Sequence, residues 1–406
     1  MDRSTFLYQR FLHRFPYDPT PCQDGLLREV SAFLTADDGD ILVVNGYAGT
    51  GKTTAVAAIV GALEELEIES VLLAPTGRAA KVLSLYAAHP ASTIHKHIYR
   101  QKSFGADGFG LFSLAPNKAR NTLFVVDEVS LIGIASDGGS SFGTGDLLAD
   151  LVSFVRAGVD CRLILIGDAA QLPPVGLDAS PALSPAYMDG FGGVSYVTLT
   201  TVVRQAQDSG ILVNATHLRS LLPCGEIASP GFVTEGFPDV ERIGGGELLD
   251  ALSDAYSRYG EDEVVVLCRS NKRAGRYNAG IRAQVLYREE QLVRGDKLMV
   301  VKNHYLDGLE GTDYIANGDI ATLVWIRHFE ERYGLHFADA CLSLPDYGDQ
   351  EVEMKVLLDT LSTDAPSLPY EQSQALYQGV LADYAHIKTK KKRYEAVRSD
   401  WPKSNK

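Results

Sequence analysis

The chain has 406 residues, 45% of them hydrophobic and 22% charged, with a formal net charge of −14. The length accommodates two or three domains, and the composition excludes a generally disordered chain. No run of 18 apolar residues occurs, so no membrane span or membrane partner is expected, and the first twenty residues lack the apolar core of a secretory signal. Five scattered cysteines (Cys22, Cys161, Cys224, Cys268, Cys341) include no C-x-x-C pair, which speaks against a disulfide framework or zinc site and for a reduced, cytoplasmic protein. The acidity weighs mildly against nucleic acid, although total charge says little about local patches.

In chain order, short unbroken apolar runs at 41–44, 71–74, 122–126, 162–166 and 196–199 read as strands buried on both faces of a parallel sheet. Between the first two, the Ala-rich stretch 53–69 has helical spacing. The pattern predicts an α/β fold over roughly 20–205. Within it, 97–121 carries two aromatic arms around Ala106-Asp107-Gly108, a candidate hairpin with Asp107-Gly108 at the turn. Residues 133–145 are rich in Gly and Ser and read as a mobile loop. Further on, 263–268 reads as another buried strand, 272–287 as a helix, and 295–357 as a small antiparallel, barrel-like insert. The stretch 386–406 holds eight Lys or Arg against Glu395 and Asp400, a local charge of +6.

The strongest motif is Gly46-Tyr-Ala-Gly-Thr-Gly-Lys-Thr53, which fits G-x-x-x-x-G-K-[ST] between a strand and a helix. Backbone N–H groups of Gly46, Ala48, Gly49, Thr50, Gly51, Lys52, Thr53 and Thr54 are candidates to wrap phosphates at a helix N-terminus. Lys52 would reach the β/γ-phosphates and the Thr53 hydroxyl would hold Mg²⁺. A second apolar strand ends in Asp127 and Glu128. Asp127 suits the Mg²⁺ shell, and Glu128 suits activation of an attacking water. The strand end at 167–175 brings Gln171, whose neutral amide can sense a γ-phosphate. Arg204, just past the last strand, can stabilise charge on a transferring phosphoryl group. Taken singly, the carboxylate pair reads as structural, the 167–175 segment equally well as an ordinary turn, and Arg204 as a surface ion-pair residue.

In this order the four motifs resemble superfamily 1 DNA helicases of the RecD, Dda and Pif type, P-loop ATPases of AAA-like class. Other segments are similar too: Pro19-Thr-Pro-Cys-Gln23, where the family's Gln reads adenine; Ala74-Pro-Thr-Gly-Arg-Ala-Ala-Lys81, similar to motif Ia; and 91–96, the segment after it. Val266-Leu-Cys-Arg-Ser-Asn271 resembles the first strand of the second motor domain, and Ile315-Ala-Asn-Gly-Asp-Ile320 its SH3-like insert. The resemblance implies a RecA-like ATP-binding domain 1A over 1–205, with a pin hairpin at 97–121. It implies the start of a second RecA-like domain at 206–294, an SH3-like β insert at 295–360, and a helical basic tail at 361–406.

The implied activity is ATP hydrolysis with Mg²⁺ coupled to 5′→3′ movement on single-stranded DNA. DNA contacts are expected from Thr76, Arg78, Lys81, His95 and Lys96, from Phe104, Phe109 or Phe112 as the separating pin, and from Arg269, Asn271 and Lys272. Each has a plainer reading: a solvated surface residue, a core histidine for His95, subdomain packing for the three phenylalanines. The basic run 388–393 reads equally as a phosphate-binding strip or a solvated helix face. The family's motifs V and VI, with the arginine finger, have no match in the 406 residues. ATP binding near normal with weakened hydrolysis and unwinding is therefore expected of this chain. An alternative is a nucleotide-gated DNA-binding subunit working with recombination or exonuclease partner proteins.

Overall fold

The computed structural model describes residues 2–104, 110–134, 143–174, 176–202, 209–221, 231–301, 304–305, 314–315, 318–361, 368–389, 392–393 and 396. They form two compact units, 1–241 and 242–406, taken separately below.

The first unit begins with α1 (Arg3–Arg14), whose Leu7, Tyr8 and Phe11 are buried. Helix α2 (Pro21–Thr35) opens on a reciprocal cap. The Thr20 hydroxyl accepts from the Gln23 N–H and the Gln23 side chain accepts from the Thr20 N–H, with Pro21 at the first helical position. There follow β1 (Ile41–Gly46), α3 (Lys52–Glu65), β2 (Ser70–Ala74), α4 (Gly77–Ala87), β3 (Ala91–Thr93), α5 (Ile94–Ile98), β4 (Tyr99–Phe104), β5 (Gly110–Leu114), β6 (Leu123–Val126), α6 (Leu147–Arg156), β7 (Arg162–Gly167), α7 (Pro185–Met188), β8 (Val194–Leu199) and α8 (Gly210–Leu221).

Six strands make one parallel sheet in the order β3-β2-β6-β7-β1-β8. The two-residue period of a strand divides its side chains between two cores. Leu42 and Val44 of β1 join Leu26, Leu27, Ile59 and Leu63 on the α1–α3 side. Ile41 and Val43 join Ile94, Ile98, Leu148 and Leu151 on the α5–α6 side. Burial on both faces explains the unbroken apolar runs of β1, β6 and β7. The run at 196–199 departs from the expectation of a strand buried on both faces. It belongs to β8 at the sheet edge, and Tyr196 is exposed there.

Strands β4 and β5 pair antiparallel from Tyr99↔Leu114 to Phe104↔Gly110, a hairpin whose expected turn, 105–109, lies outside the described residues. Most of the loop expected at 133–145 lies outside them too. Compactness in the first unit runs past 205 to 241, because the segment after α8 is bonded to that helix. Asp239 accepts from the Ser209 hydroxyl and the Gly210 N–H, and the Asn214 side chain exchanges two bonds with the Val233 backbone.

The second unit holds α9 (Leu248–Tyr259), α10 (Asn271–Gln284), β9 (Lys297–Met299), β10 (His304–Tyr305), β11 (Tyr314–Ile315), β12 (Ile320–Arg332), β13 (Leu335–Leu344), β14 (Gln350–Leu357) and α11 (Tyr370–Asp383). Four strands form an antiparallel sheet in the order β14-β13-β12-β9, and β10 pairs with β11 separately. Among the described residues this sheet is open, with β9 and β14 at its edges, rather than barrel-like. One face packs Leu323, Ala338, Ala340 and Leu342. Phe337 and Leu335 pack against Leu376, Tyr377 and Val380 of α11. Asp296, nearly fully buried, accepts from both Arg282 and Arg288 and ties α10 to the sheet.

Two expectations change here. Residues 263–268 are not a strand: they carry no regular structure, with Val265 79% and Leu267 89% exposed. A doubly buried parallel strand needs a neighbour on each side, and none of the described strands pairs with this segment. The expected basic helical tail separates into two parts. Helix α11 contains no Lys or Arg, and the basic run begins after its end.

Candidate nucleotide site and nucleic-acid surface

The site grows from three neighbouring strands. In the order β6-β7-β1, the C-terminal ends deliver Asp127 with Glu128, then Asp168, then the loop from Gly46 to Gly51. This is the edge at which open α/β sheets take ligands.

The loop is a tight turn closed on its own carbonyls. Tyr47 O accepts from the Thr50 N–H at 3.2 Å and from the Thr50 hydroxyl at 2.7 Å. Gly49 and Gly51 have φ of 77° and 81°, the left-handed region that disfavours a Cβ. A Cβ on Gly51 would also stand 2.4 Å from Nε2 of Gln23. That amide donates to Thr50 O at 2.8 Å, while its oxygen accepts from the Thr20 N–H at 2.9 Å. Buried Gln23 therefore splices the loop to the cap of α2.

Helix α3 starts at Lys52, so Lys52, Thr53 and Thr54 supply first-turn N–H groups that have no helical acceptor. Lys52 Nζ donates to Gly46 O at 2.6 Å and Tyr47 O at 3.1 Å. Burial pushes its pKa down, while the charges of Asp168, Asp127 and Glu128 pull it back up. Burial raises the Asp127 carboxyl above the ordinary aspartate range, against the opposing Glu128 N–H bond and the Lys52 charge. Glu128 is raised by burial and next by Asp127. It adopts φ of 54°, rare for a side chain this size, which re-aims the chain at the end of β6. The Gln171 Oε1 accepts from the Ser130 hydroxyl at 3.0 Å. Arg204 lies outside the described residues.

Further residues shape the site that were not among the expected functional side chains. Asp168, 1% exposed, accepts from the Ala48 N–H at 2.9 Å and from Arg219 of α8 at 2.8 Å. The Arg219 guanidinium also lies 3.7 Å from the centre of the Tyr47 ring. Asn45 accepts from the Ala169 N–H, joining the end of β1 to the segment after β7.

The expected nucleic-acid residues are spread more widely. Thr76 caps α4, accepting from the Ala79 N–H at 3.2 Å; Arg78 next to it is exposed, and Lys81 is one turn on. His95 and Lys96 sit on α5, where His95 stands 5.7 Å from the Tyr99 ring and burial lowers its pKa. Phe104 ends β4, Phe109 lies outside the described residues, and Phe112 is partly buried against the α5–α6 core. Arg269, Asn271 and Lys272, all exposed, sit in the second unit at the start of α10.

The profile of an AAA domain family matches residues 28–221. The chain is 31% identical to the ATP-dependent RecD2 DNA helicase of Deinococcus radiodurans over 298 residues, 71% of this chain and 37% of that one. It is 26% identical to the ATP-dependent DNA helicase Dda of Enterobacteria phage T4 over 334 residues, 76% of this chain and 70% of that one. It is 30% identical to the RecBCD enzyme subunit RecD of Haemophilus influenzae over 170 residues, 36% of this chain and 24% of that one. These matches make the chain similar to superfamily 1 helicases of the RecD and Dda type. The match to RecD2 spans little more than a third of that relative's length. The six-stranded parallel sheet around the loop is RecA-like.

Proposed function

We propose that this chain is an ATP-driven DNA motor: it binds ATP with Mg²⁺ at the 46–54 loop, hydrolyses it, and moves 5′→3′ on single-stranded DNA. The observation that carries the reading is the convergence of Lys52, Asp127, Glu128 and Gln171 on one sheet edge, where the field at Lys52 includes both carboxylates. Thr53 and Asp127 offer hard oxygen donors that fit Mg²⁺, which when bound neutralises phosphate charge. Lys52 leaves its loop carbonyls for the β/γ-phosphates. Glu128, deprotonated, takes a proton from the attacking water. Gln171, whose oxygen is held by Ser130, can report whether a phosphate oxygen engages its amide N–H. Arg204 adds charge stabilisation at the transferring phosphoryl group.

DNA binding is assigned to Thr76, Arg78, Lys81, His95 and Lys96 in the first unit and to Arg269, Asn271 and Lys272 in the second, with Phe104, Phe109 and Phe112 at the pin. The similarity to a RecBCD subunit favours a second reading, a nucleotide-gated subunit working with exonuclease or recombination partners. Single-strand-stimulated phosphate release tests the motor. Lys52→Ala should abolish it, at a cost of at least about 10³-fold in rate for a group acting on transition-state charge. Turnover that survives the substitution, or that ignores single-stranded DNA, refutes the motor; DNA binding that answers to nucleotide without turnover favours the gated subunit.

A further inference from the structure

Arg219 takes no part in any recognised motif, yet it reaches the phosphate loop directly at Tyr47 and, through Asp168, at Ala48. Its guanidinium, 23% exposed, pairs with Asp168 at 2.8 Å, and that carboxylate in turn holds the Ala48 N–H at 2.9 Å. Its flat face covers the Tyr47 ring at 3.7 Å, and the Tyr47 carbonyl is the acceptor that closes the loop and holds Lys52. Loop residues 47 and 48 thus meet the two partners of one ion pair, Arg219 and Asp168. The charges around the loop explain why this matters. Asp127, Glu128 and Asp168 all act on Lys52, and Arg219 is the cation whose charge opposes theirs there. Asp168 is the most deeply buried of the three, and an uncompensated buried carboxylate beside a polyphosphate repels it in a poorly screened setting.

We propose that Arg219 is a positioning residue for the nucleotide: by neutralising Asp168 it lets the loop accept a triphosphate. This rests on the loop being the ATP site. Helix α8 is built to hold Arg219 in place. At its start, Asp239 accepts from the Ser209 hydroxyl at 2.8 Å and from the Gly210 N–H at 2.9 Å. In its middle, Asn214 donates to Val233 O and accepts from the Val233 N–H.

The test is a titration of the full chain with a fluorescent ATP analogue, using wild type, Arg219→Ala, Asp168→Asn, the double variant and Lys52→Ala. Arg219→Ala should weaken binding by about tenfold, the scale of coupling within one ion-pair network. In the Asp168→Asn background, where there is no charge to neutralise, the same substitution should change affinity by less than about twofold. If Arg219→Ala does not fold, as circular dichroism would show, the comparison within the Asp168→Asn background decides alone, and a loss there overturns the inference. Wild-type affinity in Arg219→Ala, alongside loss in Lys52→Ala, also overturns it and leaves the ATP site standing. Binding that survives Lys52→Ala defeats the ATP-site reading and the inference together.

Discussion

Asp127 and Glu128 sit where burial works against their charge, and that has a consequence for stability as well as for chemistry. Burial raises the Asp127 carboxyl in the folded chain above its value in an unfolded one. The folded state then binds more protons than the unfolded state between those two values, so this carboxyl favours the fold below the window and costs stability above it. Asp127→Asn should therefore raise stability at pH 7 by about 0.5–2 kcal/mol while hydrolysis is lost, the usual exchange at a strained functional site. In denaturant titrations the gain should fade as pH falls to the ordinary aspartate range. A variant less stable than wild type at pH 7 would show that Asp127 serves the fold instead.

At this scale the motif residues were legible because each is a chemically restricted type at fixed spacing. Asp168, Arg219, Asn45 and Asp239 were not. Their partners stand 51, 124 or about 30 positions away in the chain, and no local pattern encodes such a contact. Gln23 was legible as a family residue, but its bond to Thr50 O, 27 positions on, was not.

The hairpin and the loop after β6 are rooted by one buried carboxylate. Asp150 on α6 accepts from the Tyr99 hydroxyl at 2.7 Å, from the Thr144 N–H at 3.0 Å and from the Thr144 hydroxyl at 2.9 Å. Burial and this bond push the Tyr99 hydroxyl well above the ordinary tyrosine range, so it stays a donor at any working pH. Asp150→Ala would strand that hydroxyl and should cost about 1–3 kcal/mol in chemical denaturation. A negligible cost would mean that Tyr99 and Thr144 find other partners.

Next to this root, His97 packs edge-on against Phe124 and Phe154, at 5.9 and 5.6 Å, with its pKa lowered by burial. It is a core histidine placed two residues from a nucleic-acid candidate. Strands β1, β6 and β7 were readable because a doubly buried strand is apolar throughout. The same signature misled at 263–268, because apolar content reports the capacity for burial and not the presence of a neighbour.

The two units have separate cores, two around the parallel sheet and two around the antiparallel one. The first contains the whole loop, both motif carboxylates, Asp168 and Arg219. A chain of residues 1–241 should then fold cooperatively on its own and bind the fluorescent ATP analogue as tightly as the full chain does. Affinity lost on shortening would place part of the site in residues 242–406. The net charge of −14 gives little guidance at this scale, since a total says little about local patches.

The bond from Gln23 to Thr50 O carries a kinetic implication. With its turn closed on Tyr47 O and its far side tied to the cap of α2, the phosphate loop has surrendered its conformational entropy during folding. A nucleotide arriving there orders very little new backbone. Only the lysine tip has to exchange two carbonyls for phosphate oxygens, so encounter and capture should merge into one concentration-proportional step.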